Sequence, residues 1–236
     1  MNDFCFYAPE IAVNPELPQE EAGHCLRVLR MQEGDEIRIT DGKGYFYDCV
    51  IDAVSGKRCF VREVNRVEVH SPWKGRLHVA VAPTKLMDRN EWFVEKAVEI
   101  GVDSISFIRT AHSERDVIKM ERIEKIAVSA MKQSQKASLP ELDGMVDFRK
   151  FVDAHKTGNR FIAYCGPAEK VHLKDAAVPH DGDTVVMIGP EGDFSQAEVD
   201  YAVAAGFRVV TLGPSRLRTE TAALAAVHMM NLNSQF

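Results

Sequence analysis

From residue 73 onward, short apolar runs rich in β-branched residues alternate with longer segments that carry apolar residues at helical spacing. The short runs predict buried strands at 77–83, 104–108, 160–165, 184–189 and 208–213. The longer segments predict helices at 91–101, 120–134, 195–206 and 219–233. Strands that alternate with helices build an α/β domain with a mostly parallel sheet. We therefore expect such a domain over residues 73–236.

The first part of the chain has a different pattern. Runs at 36–40, 45–52 and 58–64 predict strands, and Asp41–Gly44 between the first two is a turn signal, because glycine accepts a positive φ at little cost. One helix is expected near 19–29. These elements predict a small β-barrel or sandwich over residues 1–72, joined to the second domain by a linker at 70–75 that contains proline and glycine.

Charge and cysteine content limit the function classes. The 236 residues carry a formal net charge of -6, so any contact with a nucleic acid must come from a local basic face. The five cysteines form no CxxC pair, which predicts a reducing environment with neither a disulfide framework nor a zinc site. Without a run of 18 apolar residues or a signal peptide, we expect a cytoplasmic protein with no membrane segment.

Two loops stand where an open α/β sheet binds ligands, beyond the carboxyl ends of its strands. The first is Ile188–Ser195, in which two glycines flank a Pro-Glu turn and a helix follows, with Ser195 and Glu198 forming a capping box. A tight strand-to-helix turn is the alternative interpretation, because a glycine-rich turn alone is a weak signal.

The second loop, Leu212–Ala222, contains Arg216 and Arg218, which would suit a phosphate or RNA, although a solvated helix start is the alternative. A third polar segment, Arg109–Arg115, follows another predicted strand at the same edge. The chain lacks the GxGxxG, Walker A, GxSxG and HExxH motifs and shows no metal-ligand spacing. These absences disfavour nucleotide hydrolysis, serine hydrolase chemistry and zinc catalysis.

Together, GPEGDFS at 189–195 and LGPSRLRTETA at 212–222 resemble the SPOUT class of RNA methyltransferases, and specifically the RsmE-like family that methylates uridine N3 in small-subunit ribosomal RNA. Further similarities lie at 24–30, 96–102 and 133–140. The resemblance implies an N-terminal PUA-like RNA-binding β-barrel (1–72), a SPOUT methyltransferase domain with a C-terminal trefoil knot (73–236), a homodimer, and S-adenosyl-L-methionine as the methyl donor with no metal.

The resemblance also implies site residues. Arg218 and Glu220 are the expected catalytic residues, with Arg218 stabilising the deprotonated base and Glu220 either accepting the proton or orienting the arginine. Departures from the family pattern occur at Asp193, Ser215 and Lys136. The cofactor is expected to contact Ile188, Gly189, Pro190, Glu191, Gly192, Leu212, Gly213, Leu217, Thr219, Thr221 and Ala222. The RNA is expected to contact His24, Arg27, Arg30, Arg115, Gln133 and Lys136.

The expected activity is methylation of N3 of a specific uridine in 16S ribosomal RNA. That RNA is expected within the assembled 30S subunit, and free RNA stays open as the alternative substrate. Three alternatives remain open from the sequence, and the least favoured is a generic dinucleotide-binding enzyme, because the GxGxxG fingerprint is missing. A SPOUT enzyme could instead act on a ribose 2′-hydroxyl or on another base. A protein that binds RNA without catalysis, as a ribosome assembly factor, is the second alternative.

Overall fold

The structure is a computed structural model that describes residues 4–176 and 182–235. The chain forms two compact units. The first comprises the chain up to Ser71 together with Val128–Leu139, and the second comprises Pro72–Ala127 and the chain from Pro140 onward. Within the described residues, no helix is both long enough and apolar enough to cross a membrane.

The first unit is built on a sheet of four strands in sequence order. These are β1 (Cys5–Tyr7), β2 (Glu36–Thr40), β3 (Tyr45–Ser55) and β4 (Arg58–Glu68), with β1 parallel to β2 and the other pairs antiparallel. The turn between β2 and β3 has its two glycines at positive φ, as predicted. The expected helix is present as α1 (Gln19–Gly23), which continues into a π-helical turn (His24–Val28). Its buried side chains, Ala22 and Cys25, join the core of this unit.

Residues 128–139 complete the first unit although they come from the middle of the sequence. The Ala137 carbonyl accepts hydrogen bonds from the Thr40 hydroxyl and the Gly44 amide, both at 3.0 Å. The Leu139 amide donates to the Gly42 carbonyl at 2.8 Å. Ala137 is buried with Cys5 and Phe46, so this segment is part of the packed structure of the N-terminal unit.

The second unit is a parallel sheet with helices on its faces. Its described strands are β5 (Leu77–Val81), β6 (Ser104–Arg109), β7 (Glu141–Asp147), β8 (Asn159–Ala163), β9 (Val171–His172), β10 (Thr184–Ile188) and β11 (Arg208–Thr211). They lie in the order β7-β6-β5-β10-β8-β11-β9, and every pair is parallel. The helices of this unit are α2 (Met87–Ile100), α4 (Phe148–Ala154), α5 (Gln196–Ala204) and α6 (Thr219–Gln235), with a 3₁₀ turn at Leu173–Asp175. A further helix, α3 (Met120–Gln133), begins in this unit, and its residues from Val128 onward belong to the first.

Burial of the central strands explains their continuous apolar sequence. All five residues of β10 are buried, as parallel strands covered on both faces require. Helix α6 packs on α2, β5 and β10, while Phe148 and Phe151 of α4 share a core cluster with Val199 and Ala202 of α5. The predicted α/β architecture is therefore confirmed, and its central strands direct their carboxyl ends to one edge.

The order of the last strands bears on the expected knot. β11 lies between β8 and β9, although both of these strands precede it in the chain. β10 likewise lies between the earlier strands β5 and β8, so strand order alone is compatible with a threaded and with an unthreaded chain. The trefoil knot itself stays a prediction.

Candidate active site

The candidate site lies at the carboxyl edge of the second unit's sheet, where β5, β10, β8 and β11 are consecutive neighbours. The loop after β10 begins at Gly189, and the loop after β11 begins at Leu212. Only β8 separates these two strands, so about 10 Å lies between them at the strand spacing of a sheet. The structure thus brings the two loops predicted to share a site to the same edge.

The loop after β10 is fixed by close packing and by its helix cap. A Cβ added to Gly189 would lie 3.1 Å from both the backbone nitrogen and the ring of Phe194, which is buried against Phe148. Ser195 and Glu198 form the predicted capping box at the start of α5. Gly189 is therefore required for packing, while Glu191 and Gly192 remain exposed at the rim.

Asp193 explains how this loop accommodates its departure from the family pattern. Its backbone has φ 63°, a left-handed conformation that glycine adopts without strain. The Asp193 carboxylate accepts hydrogen bonds from the amides of Cys165 at 2.9 Å and Phe194 at 2.8 Å. These bonds tie the β10 loop to the loop after β8 and offset the cost of the backbone conformation.

We expect Asp193→Ala to lower the free energy of unfolding by about 2 kcal/mol, since the strained φ stays and two carboxylate hydrogen bonds are lost. Asp193→Gly removes the same bonds but relieves the strain, so it should cost about half as much. Urea unfolding of both variants measures the difference. The control is Asp200→Ala, which removes an exposed carboxylate on α5 that accepts a hydrogen bond from the Gln196 side chain. Equal stability of the two Asp193 variants would contradict the role of φ.

Two glutamates and one histidine also connect the neighbouring loops by hydrogen bonds. Glu191 accepts from the amide of Lys85, in the loop after β5, at 3.2 Å. Glu198 accepts from the amide of Ala111, in the loop after β6, at 2.8 Å. The His112 ring lies 2.9 Å, by its Nδ1, from the Asp193 carbonyl oxygen. The rim of the site is therefore a connected set of loops.

The loop after β11 is more open. Gly213 has φ 123°, and among the atoms of the described residues an added Cβ would come within 4 Å of the His172 ring nitrogen alone, at 3.7 Å. The Thr211 hydroxyl fixes the turn by bonding both the amide and the carbonyl of Gly213. Leu212 and Leu217 are half-buried, and residues 214–216, including Ser215, are exposed. Backbone at Gly213 is thus accessible to a ligand.

The two expected catalytic residues lie at the start of α6 and differ in their exposure to solvent. Arg218 is exposed, and its guanidinium has no hydrogen-bond or ion-pair partner among the described residues. Glu220 is buried, and its Oε1 accepts from Nη1 of Arg89 on α2 at 3.1 Å. Thr219 is buried, Ala222 is half-buried and Thr221 is exposed. Arg218 is therefore the member of the pair that can reach a substrate.

Arg89 is a residue that the sequence analysis missed. The predicted helix at 91–101 begins four residues after the observed start of α2 at Met87, so Arg89 fell outside it. The contact with Glu220 joins residues 131 positions apart, and no local pattern indicates it. A local indication of a functional position was the charged Asp88-Arg89 pair, which lies just beyond the loop after β5.

Arg115, expected to contact RNA, has structural partners at this edge. Its guanidinium donates to the carbonyls of Thr84 and Lys85 and so holds the loop after β5. Two of its five N–H donors are used in this way. A phosphate contact by Arg115 stays a prediction.

The other expected RNA contacts belong to the first unit. His24 and Arg27 are exposed in the π-helical turn, and Arg30 follows it with φ 56°. Gln133 and Lys136 belong to the segment 128–139, whose Lys132 pairs with Glu21 of α1 at 2.6 Å. All five therefore lie on α1 and on the segments adjoining it, although residues 133 and 136 were expected in the second domain. Their contact with RNA stays a prediction.

Among the residues that the structure describes, no three His, Cys, Asp or Glu side chains form a group that could hold a metal ion.

Comparison with known proteins identifies the family of each part. Residues 71–231 match the RNA methyltransferase domain, and residues 17–64 match the RNA methyltransferase PUA domain. The chain is 47% identical to a Porphyromonas gingivalis protein of known structure, described as a probable rRNA-methyltransferase, with a TM-score of 0.92 over 98% of both chains.

Two named relatives agree. Ribosomal RNA small subunit methyltransferase E from Neisseria gonorrhoeae, solved bound to S-adenosyl methionine, is 28% identical, with a TM-score of 0.83 over 97% of both chains. The Bacillus subtilis protein of the same name is 28% identical over 234 residues, which cover 92% of this chain and 89% of the relative. The predicted fold class, a SPOUT-type α/β sheet with an N-terminal PUA-like domain, is confirmed. The chain therefore belongs to the RNA methyltransferase family, and within it to the RsmE-like group that acts on small-subunit ribosomal RNA.

Proposed function

We propose that this protein transfers the methyl group of S-adenosyl-L-methionine to N3 of a uridine in 16S ribosomal RNA. The observation that carries the proposal is the guanidinium of Arg218, which is exposed and has no partner among the residues that the structure describes, at the edge where the loops after β10 and β11 emerge. The cofactor and the ribosomal substrate follow the names of the relatives, and the uridine N3 target follows the resemblance of the 189–195 and 212–222 motifs.

The two loops fit the methyl donor, which supplies an electrophilic methyl group on a sulfonium. Accessible backbone at Gly213, beside the half-buried Leu212 and Leu217, suits the close approach of a flat ring. On the other side, Gly192 is exposed at the rim, where a built Cβ would lie 3.1 Å from that of His112, a tight contact that favours glycine. The expected cofactor contacts from 188–192 and 212–222 thus surround one stretch of the edge.

The chain's own contribution to the reaction is to stabilise an anion. N3 of uracil carries a proton at neutral pH and must lose it before it can act as a nucleophile. The resulting charge spreads over O2, N3 and O4, and a guanidinium placed beside the base stabilises it. Since N3 lies on the pairing edge, the uridine must be unpaired when Arg218 meets it. His24, Arg27, Arg30, Gln133 and Lys136 would hold the surrounding RNA.

A homodimer in the cytoplasm, acting on the assembled 30S subunit, completes the proposal. The support for a second copy is the family resemblance of the 189–195 and 212–222 motifs; Trp92 of α2 and Leu232 of α6 are exposed apolar side chains on two helices that pack on each other. Sedimentation of the intact chain tests this part of the proposal.

Two measurements on the intact protein test the function. We expect calorimetry to detect binding of S-adenosylmethionine, with a matching rise in the melting temperature. We expect nucleoside mass spectrometry to find 3-methyluridine in small-subunit RNA from a strain lacking the gene only after treatment with this protein. A 2′-O-methylated or other base product would favour a different SPOUT target. Absence of cofactor binding together with tight RNA binding would favour an assembly factor.

A further inference from the structure

The two side chains of the Arg89–Glu220 pair differ in their exposure to solvent, and this difference indicates the role of each. The Glu220 side chain is 5% exposed and that of Arg89 is 45% exposed. The buried carboxylate is therefore poorly placed to take a proton from a base, while the arginine that it holds faces solvent. Glu220 fixes one end of the guanidinium, and the rest of that group is available to a ligand.

The donors that remain on Arg89 indicate the chemistry of the ligand. A guanidinium has five N–H donors, and within the described part of the chain this one donates only to Glu220. Four donors in a planar fork suit an oxyanion with two accepting oxygens, such as a phosphate. A guanidinium already oriented by a carboxylate loses less side-chain entropy on binding.

The position of the pair connects it to the proposed reaction. Arg89 lies in the first turn of α2, which follows the loop after β5, the strand beside β10. Glu220 lies two residues after Arg218 on α6. Arg89 therefore belongs to the same edge as the proposed catalytic arginine, and a nucleotide whose base meets Arg218 would have its phosphates at this edge.

We propose that Arg89 is an RNA-binding residue that contacts a backbone phosphate next to the target nucleotide, and that Glu220 is the positioning residue that orients it. The assignment rests on the proposed function. It also chooses between the two roles left open for Glu220, since the carboxylate orients an arginine rather than accepting the proton.

The test is the salt dependence of RNA binding, which a purely structural role would not change. We expect Arg89→Ala to raise the Kd for small-subunit RNA about fivefold to tenfold and to reduce the slope of log K against log salt by about 0.7 to 0.9, the contribution of one phosphate. Arg89→Lys keeps the positive charge, so its slope should equal that of the wild type, although the planar set of guanidinium donors is lost. Glu220→Gln should raise the Kd less than Arg89→Ala and should leave the slope near that of the wild type.

A matched control comes from the same helix. Glu91 of α2 is 11% exposed and pairs with Arg122, which is 63% exposed, so Arg122→Ala removes a charge from an equivalent pair elsewhere on this unit. The slope of Arg122→Ala should equal that of the wild type. An unchanged slope in Arg89→Ala would overturn the inference, and so would an equal loss in Arg122→Ala. If Arg89→Ala does not fold, Arg89→Gln removes the same charge with a longer polar side chain and gives the slope, with Arg89→Lys as its charge-retaining control. A Glu220→Gln rate constant below 1% of wild type at saturating RNA would overturn the positioning role.

Failure of this inference is distinguishable from failure of the proposed function. If the wild-type protein produces 3-methyluridine and Arg89→Ala keeps its full salt dependence, the inference alone fails. If the wild-type protein neither binds S-adenosylmethionine nor methylates RNA, the proposed function fails.

Discussion

Arg218→Ala is expected to lower the rate constant of methyl transfer by a factor of about 10² to 10³, the usual cost of removing one donor from a developing anion. The reason is the position of the side chain, which is exposed at the start of α6 and has no partner within the described residues. Its removal should leave the affinity for S-adenosylmethionine within a few-fold, because the cofactor loops contribute backbone. Single-turnover kinetics at saturating RNA, with calorimetry of cofactor binding, measures both quantities.

The control for this variant is Arg208→Ala. Arg208 is also exposed, but it begins β11 and so lies at the opposite end of that strand, over the ring of Phe161. Its loss removes the same charge from the protein without touching the candidate site. A near-normal rate for Arg218→Ala, or an equal loss for Arg208→Ala, would contradict the catalytic assignment.

The second large effect concerns stability in mild acid. Burial, with a smaller contribution from His155, lowers the pKa of His78 from 6.5 to about 4. His78 lies near the amino end of β5, where its Nε2 is 2.8 Å from the Ser106 hydroxyl, which in turn donates to Asp143 at 2.7 Å. The folded protein thus keeps this imidazole neutral well below the pH at which the unfolded chain protonates it.

The sign of the effect follows from proton binding. Between pH 6.5 and about 4 the unfolded chain binds a proton at this position and the folded chain does not, so the free energy of unfolding falls as the pH falls. At 1.36 kcal/mol per pH unit the loss approaches about 3 kcal/mol at the lower end. Above pH 6.5 His78 contributes no pH dependence.

Urea unfolding between pH 4.5 and 7 measures this loss as a difference between variants. His78→Gln removes the titrating group and keeps a donor for Ser106, so its unfolding free energy should depend less on pH than that of the wild type. His70→Gln, at an exposed position before β5, should retain the wild-type dependence. Parallel curves for the wild type and His78→Gln would show that another group controls acid stability.

The strongly periodic segments were predictable from the sequence, and the short ones were not. The central strands were found because both of their faces are buried, which gives β10 its unbroken apolar run. β7 was missed because it is an edge strand with acidic residues and Gly144 in its middle. β1 has three residues and β9 has two, too few for any alternation to appear. α4 has seven residues, fewer than the two turns that make a helical face recognisable.

The site was predictable as a pair of loops but not as a network of contacts. Glycines and the Ser195 cap mark the β10 loop locally, and the common edge follows from parallel strands. The bonds from Glu191 to Lys85 and from Arg89 to Glu220 join positions more than a hundred residues apart, so periodicity carries no information about them. The membership of 128–139 in the first unit is likewise not predictable from local sequence. The sequence pattern of α3 is that of one continuous helix, and nothing in it marks the boundary between the two units.

The place of β11 between β8 and β9 has a consequence for biosynthesis. β11 is the last strand of this sheet to be synthesised. In a nascent chain that ends before Arg208, β8 and β9 therefore have unpaired backbone edges at the position that β11 later occupies. Productive closure must await the emergence of the final thirty or so residues, which also bring Arg218 and α6. Newly made molecules therefore acquire Arg218, the proposed catalytic arginine, in the same step that completes the sheet, and prematurely terminated chains should be candidates for aggregation and proteolysis.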